Sequence, residues 1–215
     1  MAAMLYPVGT ATNASGHLEI GGCDVVELAA EYGTPAYVFA VAEMRARARA
    51  YTEAFSAHTD NFEVLFASKA LPVTAAYRLF AEEGLSVDVA SGGELTMALA
   101  AGYSPERIYM HGNNKTDAEL ELAASAGVGH LILDSFDEIE RCERVLTRQQ
   151  DVLIRVTPGI KPSTHSYIQT GQMDSKFGFG LENGSAAKAI ERVLASDRLN
   201  LVGLHFHIGS QIPNI

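Results

Sequence analysis

Six short apolar runs recur along this chain at an almost constant step, and few architectures accommodate such a pattern. They begin at Glu63 (EVLFASKA), Ser86 (SVDVAS), Arg107 (RIYMHG), His130 (HLILDS), Val152 (VLIRVTP) and Leu201 (LVGLHFHIGS), at intervals of 23, 21, 23, 22 and 49 residues. Strands without polar alternation belong to a parallel sheet covered on both faces. A step of just over twenty residues is the length of one strand, one helix and two short connections. The reading is an α/β protein of successive βα units. The even spacing favours a (β/α)8 barrel over an open doubly wound sheet, with about six of the eight strands inside these 215 residues.

The segments between the runs carry helix signals. Pro72 marks a helix start, Val73, Ala76, Leu79 and Phe80 form an apolar stripe, and Gly84 is placed to end it. Thr116 with Glu119, and Ser135 with Glu138, have capping-box spacing. The stripe Phe136, Ile139, Cys142 and Val145 makes Cys142 a buried small hydrophobe rather than a reactive thiol. The long last interval holds a polar insertion between Thr157 and Gly184, followed by a helix over 185–195. Residues 1–35, with a strand in HLEIGG and a short helix in DVVELAAEYG closed by Gly33, lie outside the repeat. They are expected to form a separate N-terminal segment before a barrel domain over 36–215.

Apolar residues make up 47% of the chain, enough for a large core, and 26 acidic against 16 basic residues disfavour a nucleic-acid or anionic-lipid partner. Two isolated cysteines give no disulfide framework and suit the cytoplasm. The opening MAAMLYPVGT lacks the features of a signal peptide, and no apolar run is long enough to span a bilayer.

In such a barrel the chemistry gathers at the C-terminal strand ends. There Lys69 ends the first strand, Asp88 and Ser91 the second, and Asn113, Asn114 and Lys115 the third. Arg155 lies in the fifth, and His205, His207, Ser210 and Gln211 close the sixth. An ammonium held in an apolar strand is driven toward the free amine that condenses with an aldehyde. Lys69 fits that role, or alternatively pairs with a carboxylate or reaches solvent at the barrel mouth. His207 is either a hydrogen-bonded core histidine or an imidazole stacked on a flat heteroaromatic ring. Gly209 and Ser210 together suit a phosphate. Gly92, Gly93 and Glu94 fit a helix start, with Glu94 favouring its positive end.

FASKA around Lys69, SVDVASGGEL around Asp88, HGNNKT, TGQMDSKFGFG and HFHIGSQI around His207 occur in an order that resembles the diaminopimelate decarboxylase family. That family belongs to the fold-type III pyridoxal-phosphate enzymes, with the barrel of alanine racemase and ornithine decarboxylase. The resemblance runs from GTPAYVFA to the end of the chain. It implies a pyridoxal 5'-phosphate cofactor bound covalently by Lys69, with His207 stacked on its ring and Ser210 holding its phosphate. Asp88 and Arg155 would sit beside it. It further implies a small amino-acid substrate, a homodimer, and an N-terminal segment that pairs with a C-terminal β-domain absent from these residues. Residues 1–215 alone are accordingly expected to have little activity. Related decarboxylases of ornithine, arginine or carboxynorspermidine, and non-catalytic pyridoxal-phosphate-binding barrels, are the alternatives within the same fold.

Overall fold

The computed structural model describes residues 6–159 and 177–209. They pack as two compact units, residues up to Val64 together with Glu82–Leu85, and Leu65–Ala81 together with Ser86 onward. The first unit thus extends beyond residue 35. It contains a three-stranded antiparallel sheet of β1 (Ala11–Thr12), β2 (Leu18–Ile20) and β3 (Cys23–Asp24), then α1 (Val25–Tyr32) and α2 (Val41–Ser56). Asp24 starts α1 by accepting the Val26 N–H at 2.8 Å, and its other oxygen accepts from Asn13 and His17. Gly33 ends α1 with φ 82°, a left-handed conformation that glycine adopts without strain. An apolar cavity of ≈ 580 Å³ lies in this unit, bounded by Ile20, Leu28, Val38 and Phe39.

The second unit is the repeat. Its elements are β4 (Leu65–Ala67), all but the last residue of α3 (Thr74–Glu82), β5 (Ser86–Val89), α4 (Gly92–Ala100), β6 (Ile108–Met110) and α5 (Asp117–Ala126). They continue as β7 (His130–Leu133), α6 (Phe136–Val145), β8 (Gln150–Thr157), β9 (Phe179–Gly180), α7 (Ser185–Leu194) and β10 (Leu199–His205). The strands run parallel in the order β4-β5-β6-β7-β8-β10, sequence order throughout, with β9 added beside the end of β8. Consecutive neighbours without reversal are the barrel arrangement, as the spacing implies.

The core explains why the runs are continuously apolar. Val87, Val89, Ile108, Met110, Leu131, Leu133, Val152 and Ile154 are fully buried, as are the helix residues Leu95, Leu120, Ala123, Ile139, Ala189 and Val193. Each large aliphatic side chain contributes about 1.5–3 kcal/mol on leaving water. Cys142 is likewise sealed off, and burial pushes its thiol up to about 12, so it packs as a hydrophobe. The α3 stripe is displaced from the expected one. Ala76, Tyr77 and Leu79 are buried, whereas Val73 precedes the helix and is 45% exposed.

One close approach fixes the packing around β7. A Cβ on Gly129 would lie 2.1 Å from the Glu106 carbonyl oxygen, while the Gly129 N–H donates to Pro105 O at 2.9 Å. Gly129→Ala must therefore push two connections apart. It is expected to cost about 1–3 kcal/mol in urea unfolding, and an unchanged midpoint would show that the connections yield freely.

Candidate active site

The strand registers bring the polar residues together. Asp88 lies between Ala67 on β4 and Tyr109 on β6, and Arg155 lies opposite His205 on β10. Above them is a cavity of ≈ 420 Å³ lined by Ala67, Lys69, Asp88, His111, Arg155, Phe177, His205 and His207. Its size is within the range of small-molecule sites, roughly 300–1,000 Å³. A smaller neighbouring hollow shares Lys69, His111, Arg155 and Phe177 and adds Asn113 and Asn114.

Four expected site residues therefore meet, namely Lys69, Asp88, Arg155 and His207, and His205 joins them. Ser210 and Gln211 lie outside the described residues, as does most of the TGQMDSKFGFG motif. The setting of Lys69 differs from expectation. The strand ends at Ala67, and Lys69 sits in the one-turn 3-10 helix Ser68–Ala70, exposed. The apolar run ends one residue short of the lysine because Ser68 turns inward and is fully buried. Its hydroxyl donates to Glu94 Oε2 at 2.8 Å. The amine thus stands at the cavity rim on a short anchored turn, without the strand burial assumed for it.

His111 was hidden inside HGNNKT. Its Nε2 lies 3.3 Å from Asp88 Oδ1. Burial lifts the Asp88 carboxyl to about 7, against the opposing charge of Lys69. Burial likewise depresses His111 to about 3, helped by Lys69, and His205 to about 4, helped by Arg155. His207 moves down for the same reasons. Near neutral pH the imidazoles are therefore uncharged, and Asp88 is poised between its two forms. Arg155 is 6% exposed, its Nε 3.5 Å from Asp134 Oδ1. Asp88 Oδ1 and His205 Nδ1 are buried and make no hydrogen bond among the described residues.

Three successive βα connections share one supporting device. Ser91, Thr116 and Ser135 cap α4, α5 and α6, each accepting the N–H of a glutamate three residues on. Those glutamates in turn accept from backbone N–H groups, Glu94 from Ala90, Glu119 from Thr116 and Glu138 from Asp134. Only Thr116 with Glu119 closes a full capping box, since Glu94 and Glu138 reach one residue further back. Each glutamate also takes a donor from the preceding unit: Ser68 Oγ, the Gly92 N–H and Lys115 Nζ respectively. Ser91 and Lys115 thus belong to this scaffold. No group of three or more His, Cys, Asp or Glu suited to a metal occurs among the described residues.

Comparison with known proteins gives a consistent result. Residues 41–215 match the family model described as the pyridoxal-dependent decarboxylase, pyridoxal binding domain. The chain is 48% identical over 212 residues to a diaminopimelate decarboxylase of Bacillus methanolicus, covering 97% of this chain and 49% of that protein. It is 50% identical over 203 residues to that of Bacillus subtilis (strain 168), covering 93% and 46%. The crystal structure of diaminopimelate decarboxylase from M. jannaschii in complex with L-lysine superposes with a TM-score of 0.86 at 34% identity, covering 94% of this chain and 48% of that one. The chain spans about half the length of the curated relatives it matches.

Proposed function

The chain belongs to the pyridoxal-dependent decarboxylases through their pyridoxal-binding domain, and on that premise we propose that it is the barrel part of an enzyme converting meso-2,6-diaminopimelate to L-lysine and CO2. The observation that carries this reading is one cavity holding a primary amine, a carboxylate, an arginine and three imidazoles. Pyridoxal 5'-phosphate fits this donor set, because the hollow offers an amine at its rim and, among the described residues, buried polar atoms without a hydrogen bond. Bound there, the cofactor supplies an aldehyde for an amine and a ring that accepts the electron pair left when CO2 departs.

In this proposal Lys69 Nζ binds the cofactor and later carries a proton, held on a turn that Ser68 and Glu94 keep in place. Asp88, with His111 against it, sits near its own midpoint and can hold or release a proton beside Lys69. Arg155 provides a fixed positive charge, and His207 covers a ring face. Ser210 would receive the phosphate beside Gly209, whose φ of 130° opens the backbone for a close approach. The L-lysine held by the M. jannaschii relative supports lysine as product.

The proposal also includes an N-terminal segment over 1–35 that pairs with a β-domain contributed by further sequence, in a homodimer. Exposed Tyr32 (72%) and Tyr37 (94%) in the first unit support such a cover. No helix among the described residues is long and apolar enough to cross a membrane, and a cytoplasmic site of action fits the two free cysteines.

Borohydride reduction after loading with pyridoxal phosphate, followed by peptide mapping, tests the site. The cofactor mass should appear on the peptide containing Lys69. Labelling elsewhere, or none, would remove the assignment. Release of CO2 and lysine from diaminopimelate by the natural-length protein tests the substrate.

A further inference from the structure

The segment beginning at Phe177 is held against β8 at several points. Phe179 and Gly180 pair with Val156 and Thr157, and Thr157 Oγ1 donates to Phe177 O at 2.6 Å. Phe179 is buried and meets Phe136 edge to face, ring centres 4.9 Å apart. Between them, Gly178 has φ 69°, and a Cβ there would lie 2.7 Å from Arg155 O and 3.0 Å from Arg155 Cγ. No side chain fits at that position, so the backbone runs directly along Arg155. The consequence is a fixed ring: Arg155 Cζ lies 4.5 Å from the Phe177 ring centre.

Arg155 needs such a contact. Its guanidinium is almost wholly out of water, and its carboxylate neighbour Asp134 stands at 3.5 Å from Nε. That is beyond the 2.7–2.9 Å of a charge-assisted hydrogen bond, so Asp134 supplies charge without fixing the plane. An aromatic face within about 6 Å attracts a desolvated guanidinium and restricts its rotation. Phe177 also lines both the cavity and the smaller hollow beside it.

We propose that Phe177 is a positioning residue, whose ring holds the Arg155 guanidinium by a cation–π contact in the plane that faces the cofactor cavity. The inference rests on the proposed function for the part Arg155 plays toward pyridoxal phosphate. The contact itself stands on geometry alone. It gives the FGFG stretch from Phe177 to Gly180 a role: Gly178 permits the approach, Phe179 anchors it, and Phe177 acts on Arg155.

Two measurements on the natural-length protein test it, using Phe177→Leu, which keeps an apolar side chain, and Phe177→Tyr, which keeps the ring. In cofactor-free protein, phenylglyoxal should modify Arg155 about tenfold faster in Phe177→Leu than in wild type or Phe177→Tyr. Affinity for pyridoxal phosphate, followed by absorbance, should fall about tenfold in Phe177→Leu and less than about threefold in Phe177→Tyr. Phe177→Leu should add little to Arg155→Met, because the two act through one contact. Equal behaviour of the Leu and Tyr variants in the phenylglyoxal reaction, or a fully additive double variant, would overturn the proposal while leaving the function in place. Wild-type protein that does not bind pyridoxal phosphate would overturn the function, while the phenylglyoxal comparison would still decide the contact.

Discussion

Lys115→Met is expected to lower the unfolding free energy by about 3–5 kcal/mol, the usual consequence of removing one partner from a buried ion pair. Lys115 and Glu138 are 2% and 1% exposed, so neither charge can turn to water. Nζ donates to Glu138 Oε1 at 2.6 Å, Ile132 O at 2.7 Å and Gly112 O at 2.9 Å, which uses all three of its protons. Methionine fills a similar volume but leaves two carbonyls and one carboxylate oxygen without donors. Burial already pushes the Glu138 carboxyl up, and without the ammonium it should move further. The variant should therefore regain part of its stability in acid, where Glu138 takes a proton. Lys115→Met with Glu138→Leu should recover about 2 kcal/mol or more by removing the stranded charge. Urea unfolding of the wild type and the two variants at pH 5 and pH 8 measures this, and a single-variant loss below about 1 kcal/mol would show that water reaches the pair.

Asp88→Asn should have the opposite effect, making the cofactor-free fold more stable at pH 8 by about 1–3 kcal/mol while weakening cofactor binding. The Asp88 carboxyl is raised from 3.8 to about 7 by burial. A group raised on folding contributes fully below its unfolded value, and the contribution is lost as pH rises through the folded value, here between about pH 4 and 7. Above pH 7 the folded protein carries a poorly solvated carboxylate that asparagine does not. His111 behaves in the reverse sense. Depressed from 6.5 to about 3, it contributes above pH 6.5 and loses that contribution as pH falls toward 3. Between pH 4 and 7 the two groups offset each other in the wild type. Asp88→Asn exposes the histidine alone, so its stability should climb with pH over that interval. A variant less stable than wild type at pH 8, or one with an equal gain at pH 4 and pH 8, would contradict the assigned burial. A residue that destabilises the fold it sits in is the signature of selection for the site.

Other elements show where local reading ends. Helix starts at Thr116 and Ser135 are visible in the sequence, because a cap needs only residues three positions apart. The second contact of each glutamate is not visible. Glu138 meets Lys115 across 23 residues and Glu94 meets Ser68 across 26, distances closed only by the strand order. Periodicity alone puts Val73 in an apolar stripe. It is exposed because α3 begins at Thr74, one position after it. His111 is not marked by the sequence, because an imidazole next to a glycine carries no local sign of the carboxylate opposite.

What the sequence determined by itself was the repeat, and with it a parallel sheet and the grouping of Asp88, Arg155, His205 and His207 at or near the ends of its strands. Apolar periodicity is a local property, written residue by residue, and its even step favours a barrel over an open doubly wound sheet. Only the tertiary structure decided that Lys69 stands on an anchored turn outside its strand, that His111 faces Asp88, and that Phe177 covers Arg155. Those outcomes depend on distances between neighbouring strands and on which groups water can still reach, and a linear pattern encodes neither.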